Sequence, residues 1–142
     1  MLPDSLSWTS RGQLDHVGIA TASLSESLAF LRDVLGLDAE AAEDVPEQQV
    51  RVQFVGRGHA RLELIEPTSE ASPVAMFLRT RGPGLHHVAV RVADLDATLV
   101  DLRARGVRLV DEQARPGAHG SRVAFIHPSA AQGVLVELIE RR

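Results

Sequence analysis

A chain of 142 residues with 15 cationic and 19 acidic side chains, formal charge −4, is long enough to bury one hydrophobic core. That acidic balance makes it a poor partner for a nucleic-acid backbone or an anionic bilayer. The chain has no cysteine, which excludes disulfides, thiolate metal sites and thiol catalysis, and all fifteen cations are arginine, which excludes Schiff bases and a P-loop lysine.

No apolar run approaches the roughly 20 residues needed to span a membrane. The opening "MLPDSLSWTSRGQLDH" lacks the basic segment and apolar core of a secretory signal, so the cytoplasm is the expected compartment. Lysine, asparagine and tyrosine, all absent, share A/T-rich codons, which suggests a GC-rich bacterial gene.

In chain order, residues 1–12 read as an N-terminal arm. A strand is expected over 14–20, followed by a helix whose start carries an S-x-x-E capping box at Ser23 and Glu26. Leu24, Leu28, Leu31 and Leu35 form its apolar stripe, and Gly36 stands where a left-handed C-terminal cap is wanted. Three shorter strands separated by turn residues complete a first βαβββ module over 13–67. Residues 68–84 are a connector with a short helix at 73–80 behind Pro73. The second module, 85–142, repeats the plan: a strand at 86–92, an N-cap at Asp94, a stripe of Leu95, Leu99 and Leu102, a cap at Gly106, then three strands.

The two modules are an internal duplication within one α+β domain. "HVGIATASLSESLAFLRDVLG" at 16–36 aligns with "HVAVRVADLDATLVDLRARG" at 87–106, and "RVQF" at 51–54 aligns with "RVAF" at 122–125. "ELIE" occurs at 63–66 and again at 137–140. Four blocks recur in one order at nearly one offset.

Strand alternation then sorts the special residues. Val17 and Ile19 share one face of the first strand, while His16, Gly18 and Ala20 share the other. Val88, Val90 and Val92 oppose His87 and Ala89 in the same way, and Glu63 and Glu137 oppose the branched residues of their own strands. Four residues therefore escape the helix-packed face: His16, Glu63, His87 and Glu137. Burying two carboxylates costs several kcal/mol each unless a cation meets them. An arginine or a divalent metal could do so; two neutral imidazoles favour the metal, in an octahedral site completed by water. His86 has the opposite parity and is expected to be packed or hydrogen-bonded. His59 is expected to be exposed in a hairpin. His119 and His127 lie in loops, where contacts to a bound molecule are common.

The stretches "DHVGIA", "LELIEP", "GPGLHHVAVRV" and "GSRVAFIHPSAAQGVLVELIE" resemble the vicinal oxygen chelate superfamily and, within it, the methylmalonyl-CoA epimerases, from about residue 14 to 140. The resemblance implies paired modules curling into a half-open barrel sheet, with the helices outside and one divalent ion per chain inside. That ion would be Co²⁺, or else Mn²⁺, Ni²⁺, Mg²⁺ or Zn²⁺, and its implied ligands are His16, Glu63, His87 and Glu137. It further implies a homodimer acting on methylmalonyl-CoA in propionyl-CoA metabolism, by metal-assisted proton transfer through an enolate, with Glu137 also a catalytic acid/base. Part of the family has a glutamate where this chain has Val52, which leaves Gln53, Glu47 or water as the second proton-transfer group. For the coenzyme A phosphates only arginines can supply cationic side chains, and Arg115 and Arg122, near the "GAHGSR" loop, are the expected contacts. Two alternatives are a glyoxalase-I-type lyase and a metal-free binding protein of the same fold; the ending "HPSAAQGVLVEL", with no "DPDG" turn, weighs against the lyase.

Overall fold

The computed structural model describes residues 12–142, so the arm expected over 1–12 lies, Gly12 apart, outside the described residues. The fold is α+β, and its described residues divide into two compact units: His16–His87, and Val88–Arg142 together with residues 12–15.

The first unit takes in most of β1 (Gln13–Ala20), then α1 (Leu24–Leu31), β2 (Glu43–Val45), β3 (Val50–Arg57), β4 (Ala60–Pro67) and α2 (Pro73–Arg81). Its strands lie in the order β2-β3-β4-β1, with β4 antiparallel to β3 and parallel to β1. The parallel pair needs a crossover, and α1 with the β2–β3 segment supplies it. Ser23 caps α1 as expected, its Oγ accepting from the Glu26 amide at 3.2 Å. The reciprocal half of the capping box is absent: the Ser23 amide donates to Thr21 Oγ1 at 3.1 Å. Glu66, at the end of β4, accepts from the Leu24 amide at 2.7 Å and places its carboxylate at the positive end of the helix.

Leu24 and Leu28 of α1 pack with Val55 and Leu64, flanked by Ile19 and Leu62. Each fully buried leucine contributes roughly 1.5–3 kcal/mol. Leu35 does not continue this stripe and is 56% exposed. The helix ends at Leu31, and the Leu35 amide bonds to Phe30 O five residues back, which turns its side chain off the packed face. Gly36 follows with φ 76, the left-handed cap its position implied.

The second unit repeats this plan with the rest of β5 (Gly84–Arg91), α3 (Leu95–Ala104), β6 (Arg115–Pro116), β7 (Arg122–Ile126) and β8 (Val136–Glu140), in the order β5-β8-β7-β6. Asp94 caps α3 through the Ala97 amide at 3.0 Å, and Glu140 accepts from the Leu95 amide at 3.2 Å, as Glu66 does from Leu24. Leu95 and Leu99 pack against Val92, Ala124 and Leu138. Buried Asp15 receives a two-pronged bond from Arg141, at 2.8 and 2.6 Å, which ties the end of the chain to its beginning.

The strand faces turned away from the helices are the more deeply buried. In β1, His16, Gly18 and Ala20 are buried or nearly so, His16 and Ala20 almost completely, while Val17 and Ile19 line the helix side. In β5, His87 and Ala89 are buried while Val88 and Val90 are half-buried.

Candidate metal centre

Three side chains of the first unit converge on the face that strand alternation had singled out. His16 Nε2 lies 3.3 Å from His87 Nε2, and Glu63 Oε1 lies 3.7 Å from the former and 3.6 Å from the latter. His16 is 1% exposed, His87 4% and Glu63 8%. Ligands about 2.1 Å from one ion stand about 3.0–3.4 Å apart, so this triangle needs only a small contraction to enclose one. Among the described residues, the buried ring nitrogens of His16 and His87 are close enough to each other to share an ion. With no thiolate available, imidazole and carboxylate suit a divalent transition ion.

Local structure explains the convergence. Parallel pairing sets Glu63 in register with Gly18, and antiparallel pairing sets it opposite Phe54. The Phe54 ring meets His16 edge-on, with centroids 5.2 Å apart, and backs that imidazole. Gly18 leaves the space the His87 ring fills: a methyl group there would overlap the imidazole. The small residue beside the histidine is thus a steric requirement.

The electrostatics favour ligation. Burial, opposed by Glu63, pushes His87 down to about 3, so its imidazole is neutral at pH 7 and offers a lone pair. For Glu63, burial is the largest influence and acts upward, but the His16 hydrogen bond and the neighbouring imidazoles outweigh it and the net direction is down. Glu63 is therefore a carboxylate at neutral pH.

Glu137 lies in the second unit, buried on β8, in register with Ala89 of β5 and Phe125 of β7. These partners mirror the Gly18 and Phe54 of Glu63, so each glutamate stands across from the residue two places beyond a histidine.

The remaining predicted residues are dispersed. Glu47 is exposed in the 3₁₀ turn Pro46–Gln48. Gln53 occupies the helix-facing side of β3, opposite in parity to Phe54, and donates to Glu40 O at 2.7 Å. Arg122 forks onto Asp96, at 2.8 and 3.1 Å, and onto Glu140 at 3.0 Å. The Asp96 and Glu140 hydrogen bonds raise its pKa. Arg115 pairs with Asp111 at 3.1 Å. His127 Nδ1 accepts from the Ser129 amide at 3.1 Å as a cap, and His119 is exposed with φ 59. His59 is exposed at its hairpin.

Sequence reasoning did not single out Arg61. It shares the Glu63 face of β4 and lays its guanidinium 4.5 Å over the Phe54 ring, and this alternation was the available signal. His86, expected to be packed or hydrogen-bonded, is bonded to His87, their Nδ1 atoms 2.9 Å apart. Burial, the largest influence, lowers its pKa, against an upward pull from Glu63.

A family model described as the glyoxalase/bleomycin resistance protein/dioxygenase superfamily matches residues 15–125. A mitochondrial methylmalonyl-CoA epimerase of Bos taurus is 40% identical over 128 residues, covering 89% of this chain and 73% of that protein. The crystal structure of methylmalonyl-CoA epimerase from Mycobacterium tuberculosis is 43% identical, covers 100% of this chain and 93% of its own, and superposes with TM-score 0.87. A single-substitution variant of the Streptomyces coelicolor methylmalonyl-CoA epimerase, in complex with 2-nitronate-propionyl-CoA, is 38% identical, with TM-score 0.86 and coverage of 91% and 94%. A probable lactoylglutathione lyase of Synechocystis matches more distantly, at 32% identity over 88% of this chain and 92% of its own.

Proposed function

We propose, for a chain that belongs to the methylmalonyl-CoA epimerases of the glyoxalase/bleomycin resistance protein/dioxygenase superfamily, that it interconverts (2R)- and (2S)-methylmalonyl-CoA by moving the C2 proton. The observation that carries this reading is the meeting of two buried imidazoles and a buried carboxylate at 3.3, 3.6 and 3.7 Å. A chain without lysine or cysteine cannot form a Schiff base or use thiol chemistry to labilise the C2 proton.

The C2 hydrogen sits between a thioester carbonyl and a carboxylate, and its loss leaves an enolate whose charge must be met in place. A divalent ion, when bound, supplies Lewis-acid polarisation of the thioester oxygen and a template for the substrate. His16, Glu63 and His87 would hold it, and Co²⁺ is our assignment ahead of Mn²⁺, Ni²⁺, Mg²⁺ and Zn²⁺. Glu137, the repeat counterpart of Glu63, is the residue we assign as a fourth ligand that would complete the set and as the general base for the C2 proton. For the return proton, Gln53 has the wrong parity and Glu47 is exposed, while buried Val52 carries no proton; water is the donor we assign.

Arg115, His119, Arg122 and His127 are our candidate contacts for the coenzyme A part of the substrate, with Arg122 held in place by Asp96 and Glu140. A homodimer in the cytoplasm is the form we assign to the enzyme. Exposed Phe30, Val34 and Leu35 on the first unit offer an apolar patch for such an association.

The test is incubation of Co²⁺-loaded protein with (2S)-methylmalonyl-CoA in D₂O. Deuterium should enter C2 and the (2R) form accumulate. No exchange with any of the five ions would overturn the reading, and turnover of a glutathione hemithioacetal in its place would select the lyase.

A further inference from the structure

We propose that His86 is a positioning residue: its Nδ1 accepts the Nδ1–H of His87 and thereby selects the tautomer that leaves His87 Nε2 unprotonated toward His16 and Glu63. This rests on reading the centre as a metal site. The geometry is specific. Consecutive side chains of a strand ordinarily point to opposite faces, yet the two Nδ1 atoms, each the ring nitrogen nearer its own backbone, meet at 2.9 Å. The rings stand 86° apart, with centroids separated by 5.2 Å.

An Nδ1–Nδ1 bond has only two arrangements, and they are not equivalent for the centre. If His87 donates, its Nε2 carries a lone pair aimed at the triangle. If His87 accepts, its proton sits on Nε2 and blocks ligation. A metal-ligating histidine commonly gives its second N–H to a carboxylate, carbonyl or water; here a neighbouring imidazole holds that place.

His86 is itself held. The Phe77 ring of α2 meets it edge-on, with centroids 4.9 Å apart, and the Arg81 guanidinium of the same helix lies 5.6 Å from the centre of the Phe77 ring. Across the site, His87 fills the space that Gly18 leaves open. The imidazole of His87 is therefore fixed on two sides, by a hydrogen bond at Nδ1 and by the backbone at Gly18. Helix α2, in the connector, acquires a role through this contact: it buttresses the residue that orients a ligand.

The experiment compares the whole wild-type protein with His86→Leu and His86→Asn, whose Oδ1 stands near the position of Nδ1. Long-range ¹⁵N–¹H correlation spectra of the metal-free proteins report the His87 tautomer, and calorimetry with Co²⁺ reports affinity. Wild type should show Nδ1–H at His87. His86→Leu should move it toward Nε2–H and weaken Co²⁺ binding by about 10–100-fold, with His86→Asn restoring most of both. Nε2–H at His87 in wild type overturns the proposal without any variant. So does a folded His86→Leu protein with its His87 tautomer unchanged and Co²⁺ affinity within about twofold of wild type. If wild type shows Nδ1–H but binds none of the five ions, the metal reading fails while the bond stands supported.

Discussion

Gly18 lies against the imidazole of His87, so close that a methyl group at residue 18 would occupy the space of the ring. A strand position that looks merely permissive thus governs where the His87 imidazole can stand. Gly18→Ala should displace His87 and lower Co²⁺ affinity by about 10–100-fold, on the scale of losing a ligand's support. Calorimetry with Co²⁺ checks this, and an affinity equal to wild type would show that the ring has another place to go.

Glu63 separates donor from charge. Gln at this position keeps a carbonyl oxygen where the Glu63 carboxylate now stands 3.6–3.7 Å from the two imidazoles, whereas Leu keeps no donor. Glu63→Gln should retain epimerase activity within about tenfold of wild type, and Glu63→Leu should lose about 100-fold in metal affinity. Parallel measurements of kcat and of Co²⁺ binding distinguish the two.

Glu137 is the assigned base. Glu137→Gln should cut deuterium entry at C2 by about 10²–10⁴-fold, and more than it weakens Co²⁺ binding. Exchange at the wild-type rate would transfer the role to another group.

Acid should weaken the metal-free protein. His87 is ordinarily near 6.5 and is pushed to about 3 in the folded chain, so between these values the unfolded chain binds a proton that the folded one refuses. The depressed Glu63 carboxylate acts in the same sense below its ordinary 4.5. The stability these groups hold near pH 7 should fall as pH drops from 6.5 toward 3, on the order of a few kcal/mol. Urea unfolding of chelator-treated protein at about pH 7 and about pH 4.5 measures it; equal midpoints would contradict the assignment of neutral His87.

Helix α1 should depend on a residue 42 positions from the amide it caps. Glu66→Ala removes the acceptor of the Leu24 amide and should cost about 1 kcal/mol. Glu140→Ala removes the equivalent acceptor for Leu95 together with one partner of Arg122, and should cost more. Thermal unfolding of the two variants tests the order.

Much of this molecule was readable before any coordinates because the chain states its plan twice. A histidine opening a strand is weak evidence, but His16 and His87 fall in register with each other in the repeat, and the alternation of β1 and β5 assigns both to the face away from the helices. Glu63 and Glu137 follow by the same alternation. What sequence left closed depends on contacts between distant segments. Nothing local in "GSRVAF" tells that Arg122 will be taken up by Asp96 and Glu140. Nothing in "ELIE" tells that its last glutamate caps a helix. Leu35 kept the apolar spacing but lost its face when the helix ended one turn early, a choice made by backbone bonding to Phe30. The His86–His87 bond joins neighbours that alternation places on opposite faces, and only side-chain geometry reveals it.

All of the proposed chemistry requires one divalent ion among His16, Glu63 and His87. Anomalous diffraction at the cobalt edge from crystals of Co²⁺-loaded protein tests this most directly. One strong peak per chain is expected, about 2.0–2.2 Å from the Nε2 atoms of His16 and His87 and from a carboxylate oxygen of Glu63. No peak there, or one bound by other residues with the His16–His87 pair still 3.3 Å apart, would contradict it.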